Sequence, residues 1–374
     1  MPDVFSDFKP QLRLSPGDQI TSFLREQVLS GALAPGCRLP TTQELARRWG
    51  VTITVIQAAV APLVKEGLLL RRPRVGTVVR ERTAKLGRIG LYRITDAARE
   101  DRDHFSRSLS NRLTSRIQAT GGSAVVYPDL RPEAERTLAF PALLAAVRTG
   151  QLDAVIACES EHRTNLWIAK LPVPTAIHGA DPMPNAVWQD YAQFARDGLG
   201  CLAARGCRTV GLISTLPDNE SYPDGSPHLT RSLRDTFVAH AQSIGLATAA
   251  PWIRSPEVMY IAETDAERFG YDCVRAMWAA GAPPDGLLVF TDLAARGVIM
   301  GLLSSAGARM PALALHRNAE IGLFCPMPAD FLEVSIEATA GALSRCVERQ
   351  RLGEAVHWTL LPFRVVAGPG GAAP

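Results

Sequence analysis

The sequence predicts an α+β module at the N-terminus followed by a much larger α/β region. In the first 83 residues, apolar residues at helical spacing precede two short runs rich in leucine and valine. Beyond residue 84, short apolar runs alternate with longer amphipathic segments, as in proteins with parallel sheets. A chain of 374 residues is long enough for two or three domains with separate cores.

The N-terminal module contains the signals of a helix-turn-helix. A first helix is predicted to begin at Pro16. The residues TTQE at 41–44 predict a capping box at the start of a second helix. A tight turn at Gly50 then leads to Thr52, the expected N-cap of a third helix. Two short helices joined by such a turn place the start of the later helix in the major groove of DNA.

A hairpin is predicted directly after these helices. GLLLR at 67–71 and TVVRE at 77–81 are interpreted as two strands, and residues 72–76 as the hairpin tip. Such a wing would bring its arginines to the phosphates or a minor groove while the helix reads bases.

Charge is unevenly distributed along the chain. Residues 1–83 hold 12 Lys and Arg against 7 Asp and Glu, a net charge of +5, whereas the remainder holds 28 against 30, a net charge of −2. A basic N-terminal region followed by a slightly acidic remainder suits nucleic-acid contact through the N-terminal region alone. Charge by itself leaves open the alternative of an ordinary solvated basic surface.

The N-terminal motifs resemble those of GntR-type transcription regulators. The matching runs, in one register, are G-x-L-x-P-G-x-x-L-P at 31–40, E-L-A at 44–46, G-V-T at 50–52, L-x-x-E-G-L at 63–68 and G-T-x-V at 76–79. The resemblance implies a winged helix that binds double-stranded operator DNA. The sequence departs from the family where arginines are usual, because Gln43, Ile53 and Gln57 stand there.

These departures predict an operator with fewer arginine–guanine contacts, since glutamine pairs well with adenine. Exposed Gln and Thr are also plain solvated residues elsewhere. The predicted DNA-binding residues are Arg38, Thr41, Thr42, Gln43, Thr52, Thr54, Gln57, Arg71, Arg72, Arg74 and Gly76.

The larger region is predicted to form two doubly wound lobes with a ligand cleft at the carboxyl ends of their strands. The predicted strands are 88–94, 123–127, 153–158, 209–214, 286–292 and 312–316. The predicted helices are 105–121, 133–150, 190–206, 229–245, 271–281 and 294–307.

The same region resembles the effector domain of LacI/GalR-type regulators, which is similar to periplasmic sugar-binding proteins. The matching stretches occur in order: LPVPTAIH at 171–178, residues 186–213, GLLVFTDLAARG at 286–297 and residues 325–343. The resemblance implies a periplasmic-binding-protein-like fold, a repressor that senses a small molecule such as a sugar, and a homodimer.

Ligand contacts are predicted from the same resemblance. Asp292 stands at the family's sugar-binding aspartate, with a helix N-cap as the alternative role. The family's arginine in R-x-x-G-F is missing, because Leu233 occupies its register; Arg231 and Arg234 are the candidate substitutes, out of register. The other predicted ligand-binding residues are Tyr92, Asp190 and Asn318. Candidate stacking rings, with a core role as the alternative, are Tyr92, Trp167, Trp188 and Tyr222.

Two other functions remain open at this point: a constitutive DNA-binding protein and a DNA-binding head on an enzyme-like domain. The sequence has no GxGxxG, GxSxG, GxxxxGK[ST] or HExxH motif, so we expect neither an enzyme nor a cofactor. Seven scattered cysteines, none in a CxxC, argue against a metal framework.

The sequence also predicts where the protein is located and where its domains begin and end. With no secretory signal and no long apolar run, a cytoplasmic protein is expected. The expected domains are 1–83 and 84–367, and the tail 368–374, GPGGAAP, is expected to be disordered.

Overall fold

A computed structural model of the chain divides into two compact units, residues 1–84 and 85–374. It describes residues 5, 15–29, 32–33, 36–65, 68–72, 76–79, 87–95, 104–217, 229–257, 263–305 and 309–368. All but the first residue of the expected tail lie outside these ranges.

The first unit has the predicted helix-turn-helix and wing. Its elements are α1 (Pro16–Leu29), α2 (Thr42–Trp49), α3 (Ile53–Lys65), β1 (Leu69–Arg72) and β2 (Gly76–Val79). β1 and β2 pair antiparallel, with Arg72 opposite Gly76. Gly76 is therefore the first residue of a strand, while residues 73–75 of the predicted tip lie outside the described part of the chain.

Local chemistry explains the short second helix. The Thr41 hydroxyl accepts a hydrogen bond from the Glu44 amide, and the Glu44 carboxylate accepts one from the Thr41 amide, so the predicted capping box is present. Gly50 ends the helix at φ 66°, a left-handed conformation that glycine adopts at low cost. Buried Ile20, Leu24 and Ile56 belong to the apolar core that joins the helices.

The second unit consists of two lobes, each with a six-stranded sheet. The first sheet is parallel throughout, in the order β13-β7-β6-β5-β3-β4. Its strands are β3 (Arg88–Ile94), β4 (Ser123–Asp129), β5 (Ala154–Glu159), β6 (Thr175–His178), β7 (Ala186–Gln189) and β13 (Thr359–Leu361).

The second sheet has the order β14-β12-β11-β10-β8-β9, in which only the β12–β14 pair is antiparallel. Its strands are β8 (Val210–Ser214), β9 (Ile253–Arg254), β10 (Gly286–Phe290), β11 (Ala312–Asn318), β12 (Ala329–Val334) and β14 (Arg364–Ala367). Separate apolar clusters pack on the faces of each sheet.

Helices of the second unit follow most of its strands. They are α4 (His104–Ala119), α5 (Pro141–Arg148), α6 (His162–Ile168), α7 (Tyr191–Ala204), α8 (Leu229–Ser243), α9 (Glu263–Ala279), α10 (Asp292–Leu303) and α11 (Ile336–Arg351). The sequence expectation of one helix over 133–150 was wrong. Residues Glu133–Glu135 form a 3-10 turn, and the α-helix begins only at Pro141, because the residue before a proline avoids the helical region.

The chain passes between the two lobes three times. It leaves the first sheet after β7, returns after β12, and leaves again between β13 and β14. The return after β12 lies within residues 325–343, one of the stretches that resemble LacI-type regulators. Such multiple connections allow two lobes to open and close around a site between them. No helix among the described residues is both long and apolar enough to span a membrane.

Candidate DNA-binding surface and ligand cavity

The start of α3 presents an exposed polar face. Thr52, Thr54 and Gln57 are exposed, as is Gln43 on α2. Ile53, a large apolar residue at the first position of α3, is 41% exposed. The face contains hydrogen-bonding groups and one apolar group, the two kinds of contact by which base edges in the major groove are read.

Two of the predicted DNA-contacting threonines have structural roles as well. The Thr41 hydroxyl is engaged with Glu44 in the capping box, and hydrogen bonds from Thr41 lower the pKa of the Glu44 carboxyl. Thr42 is half-buried in the first turn of α2. The Thr52 hydroxyl accepts a hydrogen bond from the Val55 amide at 3.4 Å, as expected of the N-cap of α3.

The wing carries the predicted basic side chains. Arg71 and Arg72 are exposed on β1. Arg38 pairs with Val78 beside β2, and its Nε would lie 3.4 Å from a Cβ placed on Gly76. That distance is an ordinary van der Waals contact, so it is the backbone φ of 106° that favours glycine at position 76. Arg74 lies outside the described residues.

A cavity of about 270 Å³ lies at the carboxyl ends of β5 and β6 in the first lobe, and Leu216 of the second lobe also lines it. This is where ligands bind in open α/β sheets. Its lining residues are Phe105, Ser106, Cys158, Glu159, Ser160, Glu161, His162, Asn165, His178, Gly179, Ala180, Asp181, Trp188, Tyr191 and Leu216.

Asp181 is the most constrained carboxylate of the cavity. It is 5% exposed, its Oδ1 lies 3.0 Å from Nδ1 of His162, and its Oδ2 accepts a hydrogen bond from the Asn165 side-chain amide. A Cβ at Gly179 would lie 2.9 Å from Nδ2 of Asn165. The glycine thus leaves the space that this amide occupies.

Glu161 lies at the start of α6, on the same wall. Burial raises the pKa of its carboxyl, and Arg136, whose guanidinium lies 3.8 Å from Oε1, opposes that rise. The described residues contain no group of three His, Cys, Asp or Glu side chains arranged to hold a metal ion.

Aromatic rings form another wall of the cavity. The rings of Phe105 and His178 are stacked with centroids 5.3 Å apart, and the His178 and Trp188 centroids are 4.6 Å apart. Nδ1 of His178 lies 3.3 Å from the Cys158 carbonyl oxygen and Nε2 lies 3.2 Å from the Gln189 amide nitrogen. A neutral imidazole protonated on Nδ1 satisfies both neighbours.

Asp292 and Asn318, both predicted ligand contacts, are brought together in the second lobe. The Asn318 amide donates to Oδ2 of Asp292 at 2.9 Å, and both residues are buried. The Asp292 backbone amide donates to Nδ1 of His316 at 3.1 Å. Burial lowers the pKa of His316, while Asp292 opposes the shift. This cluster is not part of the cavity lining.

Among the residues whose side chains the structure describes, the other predicted ligand residues do not line the cavity either. Asp190 is the N-cap of α7, because its carboxylate accepts from the Gln193 amide at 2.8 Å. Tyr92 is buried, and its hydroxyl donates to Asp129 at 2.8 Å. Trp167 packs edge-on against Tyr92 with its indole donating to the Arg136 carbonyl.

The candidate substitutes for the missing family arginine lie on or near α8. Arg234 is exposed on α8. The Arg231 side chain and Tyr222 lie outside the described part of the chain.

Sequence reasoning found Trp188 but missed the polar wall. Glu159, Glu161 and His162 follow the predicted strand 153–158, and Asp181 follows the TAIH strand. Polar residues directly after buried strands mark the ligand-binding edge of a parallel sheet, so this signal was present. Asn165 gave no such signal, because its place beside Asp181 depends on α6 folding back.

Comparisons with known proteins agree with this division of the chain. Residues 16–79 match the family described as "Bacterial regulatory proteins, gntR family". Over 56 residues, 15% of this chain and 24% of the relative, the sequence is 41% identical to the HTH-type transcriptional regulator YieP of Escherichia coli strain K12, itself uncharacterized. The chain covers 24–34% of the length of the first curated relatives that it matches.

Solved structures match the second unit. The lactose repressor bound to the anti-inducer ONPF aligns with 76% of this chain and 100% of its own, at 16% identity and a TM-score of 0.59. The Cra transcriptional dual regulator from Pseudomonas putida, in complex with fructose 1-phosphate, aligns with 75% and 98% of the chains at 16% identity and a TM-score of 0.54. Residues 16–79 are therefore a GntR-family helix-turn-helix domain, and the unit that follows has the two-lobed fold of LacI-type regulators.

Proposed function

We propose that the protein is a transcription regulator, acting as a repressor, that binds operator DNA through residues 16–79 and a small-molecule effector through its second unit. The main support for this proposal is the cavity at the carboxyl ends of the strands in the two-lobed unit, which follows a GntR-family helix-turn-helix domain in the chain. Structural neighbours solved with small molecules support an effector here.

A sugar-sized molecule is the proposed effector. Carboxylate and amide groups beside aromatic rings suit ligand hydroxyls and the apolar face of a small ring. Leu216 of the second lobe lines a cavity formed mostly by the first, so a bound ligand would favour a closed arrangement of the lobes. The ligand can shift DNA affinity only by its preference for one arrangement over the other.

We also propose that the regulator is a homodimer that binds two half-sites. Exposed large apolar side chains in the second unit support this, among them Phe324 at 86%, Leu303 at 54% and Met300 at 52% exposure. Analytical ultracentrifugation of the full chain tests it; a monomer at all concentrations would contradict it.

The DNA and effector roles are tested together with the full-length protein. DNA selected from a random pool should contain one enriched motif, whose affinity is then measured by fluorescence anisotropy with and without small molecules. An effector that changes this affinity supports the proposal. An enriched motif whose affinity no small molecule alters would favour a constitutive DNA binder, and no enrichment would exclude sequence-specific regulation.

A further inference from the structure

The described lining of the cavity contains three carboxylate side chains. Glu159, Glu161 and Asp181 all line it, whereas no Lys or Arg is found among the described lining residues. Arg136 approaches Glu161 from 3.8 Å but is not part of the lining. Several carboxylates around one small space disfavour a second anion and favour a cation.

Asp181 is a buried carboxylate that two neighbouring side chains hold in place. It is 5% exposed and is held by an imidazole of His162 and an amide of Asn165. Its position and orientation are therefore fixed before a ligand arrives. A buried, oriented carboxylate is the partner that a desolvated ammonium group requires.

Two polar atoms of the lining residues have no hydrogen-bond partner among the described residues. Asn165 is 1% exposed, and its Oδ1 is buried and accepts no hydrogen bond from the described residues. Nε1 of Trp188 is buried without an acceptor. Buried polar groups are normally paired, and a ligand with donors and an acceptor would pair these.

Ring faces stand beside these groups. Phe105, His178 and Trp188 form a run of neighbouring rings along the cavity, with successive centroids 5.3 and 4.6 Å apart. Aromatic faces attract cations, and Trp is the best of them. Carboxylates and ring faces together suit a molecule with an ammonium group and an apolar face.

We infer that the cavity binds a small molecule that bears a protonated amine, with Asp181 as the main partner of the ammonium group. Glu161 lies on the same wall and adds to the negative potential. The inference rests on the proposed effector role of the cavity and specifies its chemistry. Phosphorylated and carboxylated molecules of the same size are disfavoured because they would enter beside three carboxylates.

Matched probes test the charge preference directly. Each series keeps one skeleton and changes one group: glucosamine, glucose and glucuronate; cyclohexylamine, cyclohexanol and cyclohexanecarboxylate; benzylamine, benzyl alcohol and benzoate. Binding to the full-length protein is measured by thermal shift and calorimetry at neutral pH. At least one amine should bind more tightly than the alcohol and the acid of its own series.

Variants connect that preference to the cavity. Asp181→Asn, which keeps the shape and removes the charge, should weaken amine binding by about tenfold or more relative to the alcohol. Glu161→Gln is a second variant for the same comparison, in case Asp181→Asn does not fold. Asp153→Asn is the matched control, because Asp153 precedes β5 at the end of the strand opposite Glu159 and pairs with Arg88; it should leave the preference unchanged.

The outcomes separate this inference from the proposed function. Equal or tighter binding of an alcohol or acid in every series, or no binding of any amine, would overturn the inference. So would amine binding that both cavity variants leave intact. DNA affinity is measured on the same samples. An alcohol or acid that alters DNA affinity would support the regulator proposal and contradict the inference of an amine ligand. An amine that binds without altering DNA affinity would support the amine ligand and contradict the proposed effector role.

Discussion

The backbone amide of Asp292 donates a hydrogen bond of 3.1 Å to Nδ1 of His316. That nitrogen must therefore be unprotonated in the folded protein. The imidazole is 5% exposed and is surrounded by the rings of Phe194, Phe290 and Phe363. The first residue of α10, Asp292, thus donates its backbone amide to a neutral histidine.

Because burial lowers the pKa of His316, folded protein binds a proton there less readily than unfolded protein. We expect this group to stabilise the fold above the ordinary histidine pKa of about 6.5 and to lose that contribution as the pH falls below it. The slope from one proton cannot exceed about 1.4 kcal/mol per pH unit. Urea unfolding of wild type and His316→Gln should show a steeper loss in the wild type between about pH 7 and pH 5.5. Parallel profiles would contradict a neutral buried imidazole.

The hydrogen bond between Asp292 and Asn318 should be visible as a coupling energy. Removing either side chain leaves a buried partner unsatisfied, so Asp292→Ala and Asn318→Ala should each lower the free energy of unfolding by about 1–3 kcal/mol. The double variant should lose less than the sum, because the second removal breaks no further shared bond. A double-mutant cycle by chemical unfolding measures this. Strictly additive losses would mean that the two side chains do not interact.

How far the sequence predicts this cluster and the rest of the fold depends on what each segment touches. β10 and β11 are buried on both faces, so their continuous apolar runs identify them without further context. β13 is three residues long and half-exposed, and it is a strand only because it pairs with β7. No local pattern could reveal it.

The candidate site divides in the same way. The resemblance to LacI-type regulators predicts Asp292 as a ligand residue, and the fold brings it within hydrogen-bond distance of Asn318, another predicted ligand residue. Asp181, which follows β6, accepts a hydrogen bond from Asn165 of α6. Their 16-residue separation carries no periodic signal. Burial pattern predicts the edge of the sheet, but side-chain partners across elements require the three-dimensional arrangement.

The wing arginines should contribute affinity that depends on salt. Arg71 and Arg72 are exposed on β1, where contact with phosphates would release counterions. Arg71→Ala and Arg72→Ala should each reduce the slope of log affinity against log salt by about 0.9, uniformly across DNA sequences. Arg268→Ala, an 81%-exposed arginine side chain on α9, is the matched control. Wild-type slopes in both wing variants would remove the wing from the DNA-binding surface.

Ile53 should contact the methyl group of a thymine. It is the exposed apolar residue at the start of the predicted recognition helix, and apolar side chains in the major groove read that methyl. Replacing single thymines of the selected DNA by deoxyuridine removes only the methyl. One such replacement should weaken wild-type binding by about fourfold, the value of one buried methyl-sized group, and should not affect Ile53→Ala. If the variant shows the same losses as the wild type, Ile53 does not read the base.

The close approach of the α9 and α10 backbones should make substitution of Gly297 destabilising. A Cβ at Gly297 would lie 1.7 Å from the Glu267 carbonyl oxygen, which belongs to rigid helical backbone. Gly297→Ala must therefore push the helices apart, and it should lower the free energy of unfolding by about 1–3 kcal/mol or more. A Cβ at Gly200 in α7 would have no neighbour within 4 Å, so Gly200→Ala should instead raise it by about 0.5–1 kcal/mol through helix propensity. Chemical unfolding of the two variants compares the same substitution in two helices. A shift in the same direction for both would show that the close approach of α9 and α10 does not determine the outcome.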